Sequence, residues 1–185
     1  MTFQERRIAN EWEFIERLAT RNSELLSQPT RKLGPNGAVF EFTLFGTEAL
    51  TGSAPTLTLR SEHAVSLQFG PFFPAVPVET FVLDPVFHPN AHPMNGFVCL
   101  WDRYSAGDSS LDAIFKLQRV LAWELYSTHA DQVLNPDALE WLNRMDLPLR
   151  YSRLQVPPEL ESECGYRGLR PPKIRRVRLS SIQGN

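Results

Sequence analysis

The chain has 185 residues, of which 42% are hydrophobic and 22% are charged, and its formal net charge is −2. A hydrophobic fraction of this size supports a folded core and excludes a largely disordered chain. No run of 18 apolar residues occurs, and charged residues appear within the first seven positions, so we expect neither a membrane span nor a secretory signal peptide. The two cysteines, Cys99 and Cys164, lie in different sequence contexts, so we expect no structural disulfide and a cytoplasmic location.

Charge is distributed unevenly along the chain. From residue 147 onward there are eight basic and three acidic residues, whereas the rest of the chain has eleven basic and eighteen acidic residues. Proline is also frequent in this last part. We therefore predict one domain over residues 1–146 and a basic, proline-rich extension over residues 147–185, lying over the surface or ordered by a partner. The extension either contacts an acidic partner or nucleic acid, or it packs against the acidic body of its own chain.

The N-terminal region predicts an amphipathic helix from about residue 3 to residue 26. Apolar residues recur there at spacings of three and four, with Glu and Arg between them. They are Ile8, Trp12, Ile15 and Leu18.

The middle of the chain predicts a four-stranded antiparallel meander. Apolar and polar residues alternate in four segments, a pattern typical of strands with one face toward solvent. These segments are residues 38–45, 55–59, 64–69 and 79–83. Residues 46–54 and 61–63 are predicted as turns.

Residues 84–109 show little regular pattern, and a loop of this length in a compact domain is usually functional. A capping box formed by Ser109 and Asp112 then begins a helix, and residues 135–137 (Asn-Pro-Asp) begin another. The sequence therefore predicts an α+β domain with an N-terminal helix, a meander, a long loop that carries the site, and C-terminal helices.

The long loop contains the clearest chemical pattern in the chain. Residues 88–90 read His-Pro-Asn, which fixes the direction of the backbone and leaves a short amide side chain. Gly96 then allows a tight turn before Cys99. Such an arrangement can present a thiol beside a hydrogen-bond donor, which acyl transfer through a thioester requires.

Other cofactor chemistry has no signature in the sequence. No group of His, Cys, Asp and Glu residues has the spacing of a metal site, and no glycine-rich phosphate loop is present. We therefore expect no metal and no cofactor, and any ATP chemistry would belong to a partner protein.

The order of elements and four short segments resemble the ubiquitin-conjugating enzyme family. Residues 73–77 (Phe-Pro-Ala-Val-Pro) are similar to its Tyr-Pro-x-x-Pro-Pro segment, and residues 88–90 match its His-Pro-Asn. Residues 96–100 (Gly-Phe-Val-Cys-Leu) are similar to its Gly-x-Ile-Cys-Leu, and residues 134–138 resemble the Asn-Pro-rich start of its penultimate helix. The resemblance covers about residues 5–146.

Several positions depart from the family pattern. The spacing from Asn90 to Cys99 is one residue longer than in common members. Trp101 stands where many members have Asp, although Asp102 follows directly, and Val78 replaces the second proline of the proline segment. With these departures the chain resembles the bacterial members found in ubiquitin-like conjugation operons, several of which act against phage, more than the eukaryotic housekeeping members.

The resemblance implies catalytic roles for five residues. Cys99 would accept the C-terminal carboxylate of a ubiquitin-like modifier as a thioester from an activating enzyme and pass it to an amine. Asn90 would donate a hydrogen bond to the oxyanion that forms during transfer. Asp102, Asp131 and His129 are candidates for polarising the attacking lysine or lowering its pKa.

The family pattern also suggests structural and partner-binding residues. His88, Pro89 and Gly96 are expected to shape the site. Candidates for contact with the activating enzyme lie on the N-terminal helix, and candidates for contact with a ligase or the modifier lie elsewhere. The candidates on the helix are Arg6, Arg7, Trp12 and Glu13. The candidates for the ligase or the modifier are Phe73 and Trp101.

Each of these residues could instead have a purely structural role. Cys99 could be a small buried hydrophobic residue, and Asn90 could only hold its turn. The helix face could be an ordinary solvated surface, and the two aromatic residues could belong to core or loop packing. Cys164 has acidic neighbours, which disfavour a thiolate, so we expect it to be inert.

The sequence therefore predicts an acyltransferase of the ubiquitin-conjugating type. Its expected partners are an activating enzyme, a modifier and a target protein, with a ligase or a deconjugating protease as further candidates. The first alternative is a catalytically inert module of the same fold that holds a modifier or partner noncovalently. A weaker alternative is binding of nucleic acid by the basic extension, with affinity that falls steeply with salt.

Overall fold

The fold is taken from a computed structural model that describes residues 1–129, 131–144 and 148–163. A 19-residue helix, α1 (Phe3–Arg21), begins the chain. The strands that follow are β1 (Thr30–Gly34), β2 (Gly37–Ser53), β3 (Thr56–Phe69), β4 (Glu79–Val82) and β5 (Phe97–Val98). The later helices are α2 (Ser110–Leu121), α3 (Pro136–Trp141) and α4 (Pro158–Glu163), with a 3₁₀ turn at Leu142–Arg144.

The five strands form one antiparallel sheet in the order β1-β2-β3-β4-β5. Each strand pairs with its neighbour in sequence, so the connections are those of a meander. The alternation in β2 places Phe40, Phe42 and Leu44 on the buried face. The predicted α+β architecture is therefore confirmed, with the N-terminal helix before the sheet and the helices after the long loop.

The strand boundaries differ from those expected. Of the residues predicted as turns, 46–53 and 61–63 lie within β2 and β3, and only Ala54 falls in the connecting turn. The two strands form one long hairpin with an irregularity between Phe45 and Ala49. A glycine or polar residue inside a strand is tolerated at such a bulge. Two predicted strands, residues 55–59 and 64–69, fall almost wholly on the single strand β3, whereas the exposed β1 and the two-residue β5, which carry no alternating pattern, were not predicted. The sheet therefore has five strands rather than four.

The core lies between the sheet and the helices α1 and α2. Helix α1 buries Ile8, Ile15 and Leu18, as its spacing predicts, and it ends at Arg21 rather than near residue 26. Helix α2 begins at the predicted capping box and buries its own apolar stripe. The two helices thus hold the sheet from one side and leave the long loop at its edge.

A buried carboxylate joins α1 to the start of α2. Glu11 has no exposed surface, and its Oε1 pairs with Arg7 Nε at 2.7 Å. Its Oε2 accepts hydrogen bonds from the backbone nitrogen of Ser110 at 2.7 Å and from the Ser110 hydroxyl at 2.6 Å. A negative charge at this helix N-terminus is favourable, so Glu11 both caps α2 and fixes its distance from α1.

We expect Glu11→Ala to destabilise the fold by about 3–5 kcal/mol, because it removes the acceptor of the buried Ser110 N–H and the carboxylate partner of Arg7, whose guanidinium keeps the Asp108 carbonyl. Urea denaturation checks this. The exposed Glu13 on the same helix gives the matched control, and Glu13→Ala should stay within about 0.5 kcal/mol of the wild type. If Glu11→Ala lowered the free energy of unfolding no more than Glu13→Ala, the structural role given to Glu11 would be contradicted.

The described part of the predicted extension, residues 148–163, packs against the body of the chain. Leu149 donates its backbone N–H to Ala122 at 2.8 Å, and Tyr151 bridges to Thr47 in β2. Leu154 and Leu160 are buried in the main core. Within these residues the contacts described are with the body of the same chain. Cys164 and most of the basic residues of the extension lie outside the described residues.

No helix in the described part of the chain is both long enough and apolar enough to cross a membrane.

Candidate active site

The His-Pro-Asn turn is built around a buried histidine. His88 has no exposed surface, and its Nδ1 accepts a hydrogen bond from the backbone nitrogen of Asn90 at 3.0 Å. Its ring packs edge-on against Trp123, with ring centroids 4.6 Å apart. Burial lowers the pKa of His88 to about 3, against a smaller opposing effect of the Leu125 carbonyl. The imidazole is therefore neutral near pH 7 and shapes the turn from inside the protein.

Pro89 and Gly96 set the backbone on the two sides of the loop. The Pro89 carbonyl accepts hydrogen bonds from Leu134 at 2.7 Å and from Asn135 at 3.1 Å, which ties the turn to the start of α3. Gly96 has φ +72°, and a side chain there would collide with the Val82 carbonyl oxygen. Only glycine fits this close approach to β4.

Cys99 and Asn90 lie next to each other and are joined by two hydrogen bonds. The Cys99 backbone nitrogen donates to the Asn90 carbonyl at 2.8 Å, and Asn90 Nδ2 donates to the Cys99 carbonyl at 3.0 Å. Asn90 Oδ1 accepts from the Ser127 backbone nitrogen at 2.9 Å. Cys99 is half-buried, whereas Asn90 is 7% exposed. The carboxamide is thus fixed against the Cys99 backbone, and Cys99 as a residue is partly exposed to solvent.

Cys99 lines an open groove of about 480 Å³ between two loops. One wall is formed by residues 99–103 and the other by residues 125–129 and 132. Asp102 and His129 line this groove together with Cys99 and Asn90. The exposed Asp131 is not among its lining residues, but its charge acts on the thiol. The structure thus brings four of the five predicted catalytic residues into one groove and the fifth close to it.

The thiol is not activated by its surroundings. Burial raises the pKa of Cys99, the Trp101 backbone opposes this, and the carboxylates of Asp131 and Asp102 raise it further. A thiol whose pKa is raised is mostly protonated at neutral pH and is a modest nucleophile. Cys99 is therefore suited to exchange with an acyl group that is already activated.

This electrostatic picture predicts the alkylation of Cys99 as a function of pH. In Cys164→Ser protein, the rate at which iodoacetamide alkylates Cys99 is measured against pH. The pH of half-maximal rate (the midpoint) should be higher for the native protein than for the unfolded chain, because folding disfavours the thiolate. Asp102→Asn and Asp131→Asn should each lower the native midpoint. A native midpoint below the unfolded one would contradict the charge arrangement.

The predicted partner-binding residues of α1 divide into two groups. Arg6 and Glu13 are exposed and remain candidates for a contact surface. Arg7 is engaged by the buried Glu11, and Trp12 is half-buried with its ring edge-on to a core phenylalanine at 5.0 Å. These two side chains have evident roles in packing.

The two aromatic candidates outside α1 are less available than expected. Phe73 is 4% exposed and packs edge-on against Phe69 at 4.9 Å, so it belongs to the core and its assignment to a contact surface is corrected. Its neighbour Phe72 is 72% exposed. Trp101 lines the groove, but Lys116 Nζ lies 3.8 Å from its ring centroid and covers one face.

Sequence reasoning missed the residues that support Asn90 from the opposite loop. Ser127 contacts Asn90 through its backbone nitrogen, which any residue type other than proline would provide. The Gln132 side chain contacts the Ser127 hydroxyl. Trp123 was also missed, although it packs on His88 and has an unusual φ of +57°. Among the described residues no three His, Cys, Asp or Glu side chains come together as metal ligands.

The described architecture is the fold of ubiquitin-conjugating enzymes. A putative ubiquitin-conjugating enzyme from Trypanosoma cruzi superposes with a TM-score of 0.54 at 17% sequence identity, over 76% of this chain and 90% of that one. Ubc12 of S. cerevisiae matches with a TM-score of 0.47 at 15% identity, over 83% of this chain and 95% of that one. No protein-family model and no curated protein sequence matches the chain.

Proposed function

We propose that this chain is a conjugating enzyme that carries a ubiquitin-like modifier on Cys99 and transfers it to an amine of a target protein. The observation that supports this most is the pairing of a partly exposed cysteine with a fixed carboxamide in an open groove. The fold is shared with enzymes of this type, which adds to the argument.

The first step is a thioester exchange. Cys99 sulfur attacks the carbonyl carbon of a modifier that is held as a thioester on an activating enzyme. A new carbon–sulfur bond forms, the old one breaks, and the activating enzyme regains its thiol and the proton. Because one thioester replaces another, the step is nearly balanced in energy and tolerates a thiol of raised pKa.

The second step is attack of an amine on the Cys99 thioester. A carbon–nitrogen bond forms and the carbonyl oxygen becomes an oxyanion, which the free N–H of the Asn90 carboxamide can stabilise. Collapse of this adduct releases the Cys99 thiolate and leaves an amide. The amine must lose a proton, and Asp102, His129 and Asp131 are our candidates to assist.

The partners follow from this reaction. The chain would need an activating enzyme and a modifier, with a target protein as acceptor. We further propose that it works in the cytoplasm of a bacterial cell, within a conjugation system that acts against phage. Recognition of the target by a separate ligase would then occur on the exposed residues outside the groove.

The proposal is tested by incubating the purified chain with ATP, a candidate activating enzyme and a candidate ubiquitin-like modifier. We expect an adduct on a non-reducing gel that requires ATP and disappears with added thiol. Noncovalent binding of the modifier without any such adduct would instead favour an inert binding module of the same fold.

A further inference from the structure

The orientation of the Asn90 carboxamide is decided by the opposite wall of the groove. A backbone N–H can only donate, so the contact from Ser127 at 2.9 Å identifies Oδ1 and leaves Nδ2 toward the Cys99 carbonyl at 3.0 Å. If Ser127 moved, the carboxamide could turn about its last single bond. The donor that the transfer step needs is therefore only as well placed as the Ser127 backbone.

Ser127 is in turn held by its own side chain. Its hydroxyl donates to Gln132 Oε1 at 2.6 Å and accepts the backbone N–H of His129 at 3.2 Å. The Gln132 backbone nitrogen also donates to the His129 carbonyl at 2.9 Å. Gln132 is half-buried and lines the groove, so its side chain is not needed to fill the core.

We propose that Gln132 is a positioning residue for the transfer step. It acts through Ser127 to keep the Asn90 carboxamide directed at the Cys99 thioester, and this role rests on the proposed function of Cys99. Gln132 takes no proton and forms no bond to the substrate. Attack of the amine, loss of its proton to the groove and departure of the Cys99 thiolate remain as described above.

The expected size of the effect follows from geometry. A misplacement of about 1 Å in a catalytic group can cost about 100-fold in rate. Gln132→Leu removes the acceptor for the Ser127 hydroxyl and loosens this wall, so we expect discharge to an amine to slow by about 10- to 100-fold. Ser127→Ala, which breaks the same bond from the other side, should slow discharge by a similar factor.

A chemically loaded enzyme tests this without the natural modifier. Cys164→Ser protein is acylated on Cys99 with a Gly-Gly benzyl thioester, and single-turnover discharge onto free lysine is followed by intact mass. Gln132→Glu keeps an acceptor for Ser127 and should restore the rate to within about threefold of the wild type. Recovery by this variant, with an unchanged melting temperature across the series, is the result expected.

A double-mutant cycle separates positioning from a general structural effect. In Asn90→Ala protein the carboxamide is absent, so Gln132→Leu should slow discharge by less than about twofold further. If Gln132→Leu slowed discharge by a further factor of about 10- to 100-fold in Asn90→Ala protein, the positioning role would be overturned. If Asn90→Ala slows discharge while Gln132→Leu does not, only the role of Gln132 fails. If Asn90→Ala discharges at the wild-type rate, the proposed transfer mechanism fails as well.

Discussion

Cys99→Ala is expected to abolish the modifier adduct completely, because among the described residues that line the groove only Cys99 can hold an acyl group as a thioester. The adduct should persist in Cys164→Ala protein, which serves as the matched control. Both variants are run on non-reducing gels after reaction with the activating enzyme, ATP and the modifier.

Cys99→Ser adds a chemical criterion to this experiment. A serine in the same position would form an oxygen ester, which resists added thiol but is cleaved by strong base or hydroxylamine. A thiol-sensitive adduct that survives in Cys99→Ala protein would assign the carrier to another residue and remove the basis of the proposed mechanism.

Asn90→Asp is expected to slow discharge of the thioester to an amine by about 10²- to 10³-fold, or about 2.7–4 kcal/mol of barrier. Aspartate keeps the shape of the side chain and an acceptor for Ser127, but it loses the N–H that can donate to the oxyanion. The measurement is single-turnover discharge of preloaded enzyme.

A control must separate loss of catalysis from loss of stability, because the Asn90 carboxamide also joins Cys99 to the opposite loop. Asn90→Ala removes both contacts without adding a charge, so the two variants should share the catalytic defect while differing in melting temperature. A discharge rate within about twofold of the wild type in both variants would show that Asn90 is only structural.

In the proposed mechanism, the raised pKa of the Cys99 thiol and the position of the Asn90 carboxamide have complementary effects. A thiol of high pKa is a poor leaving group, so its thioester resists loss of the acyl group. Such a carrier is stable until an acceptor arrives, but transfer then requires stabilisation of the oxyanion. In the proposed mechanism, the fixed Asn90 carboxamide would supply that stabilisation to the tetrahedral adduct on Cys99.

Much of the fold could be predicted because hydrophobic spacing reports it directly. The period of α1 and the alternation in the strands gave the order of elements correctly. The length of the β2–β3 hairpin could not be predicted, because His63 is polar but fully buried, with its Nε2 within 2.8 Å of the Thr47 carbonyl. A local pattern cannot distinguish such a satisfied buried residue from a turn residue.

The candidate site shows the same limit. Cys99 and Asn90 could be proposed from the sequence because their residue types and spacing carry chemical meaning. The contact from Ser127 was not found, because a backbone N–H is present in nearly every residue and becomes specific only through the fold. For Phe73 the sequence left a contact surface and core packing both open, and its packing against Phe69 decides for the core.

The most direct test of the account is to locate the acyl group on the loaded enzyme. The adduct is digested at acidic pH, without reducing agent, and the peptides are sequenced by mass spectrometry. We predict the C-terminal remnant of the modifier on the peptide that contains Cys99. A remnant on the Cys164 peptide, or on no cysteine at all, would contradict the assignment of Cys99 as the acyl carrier.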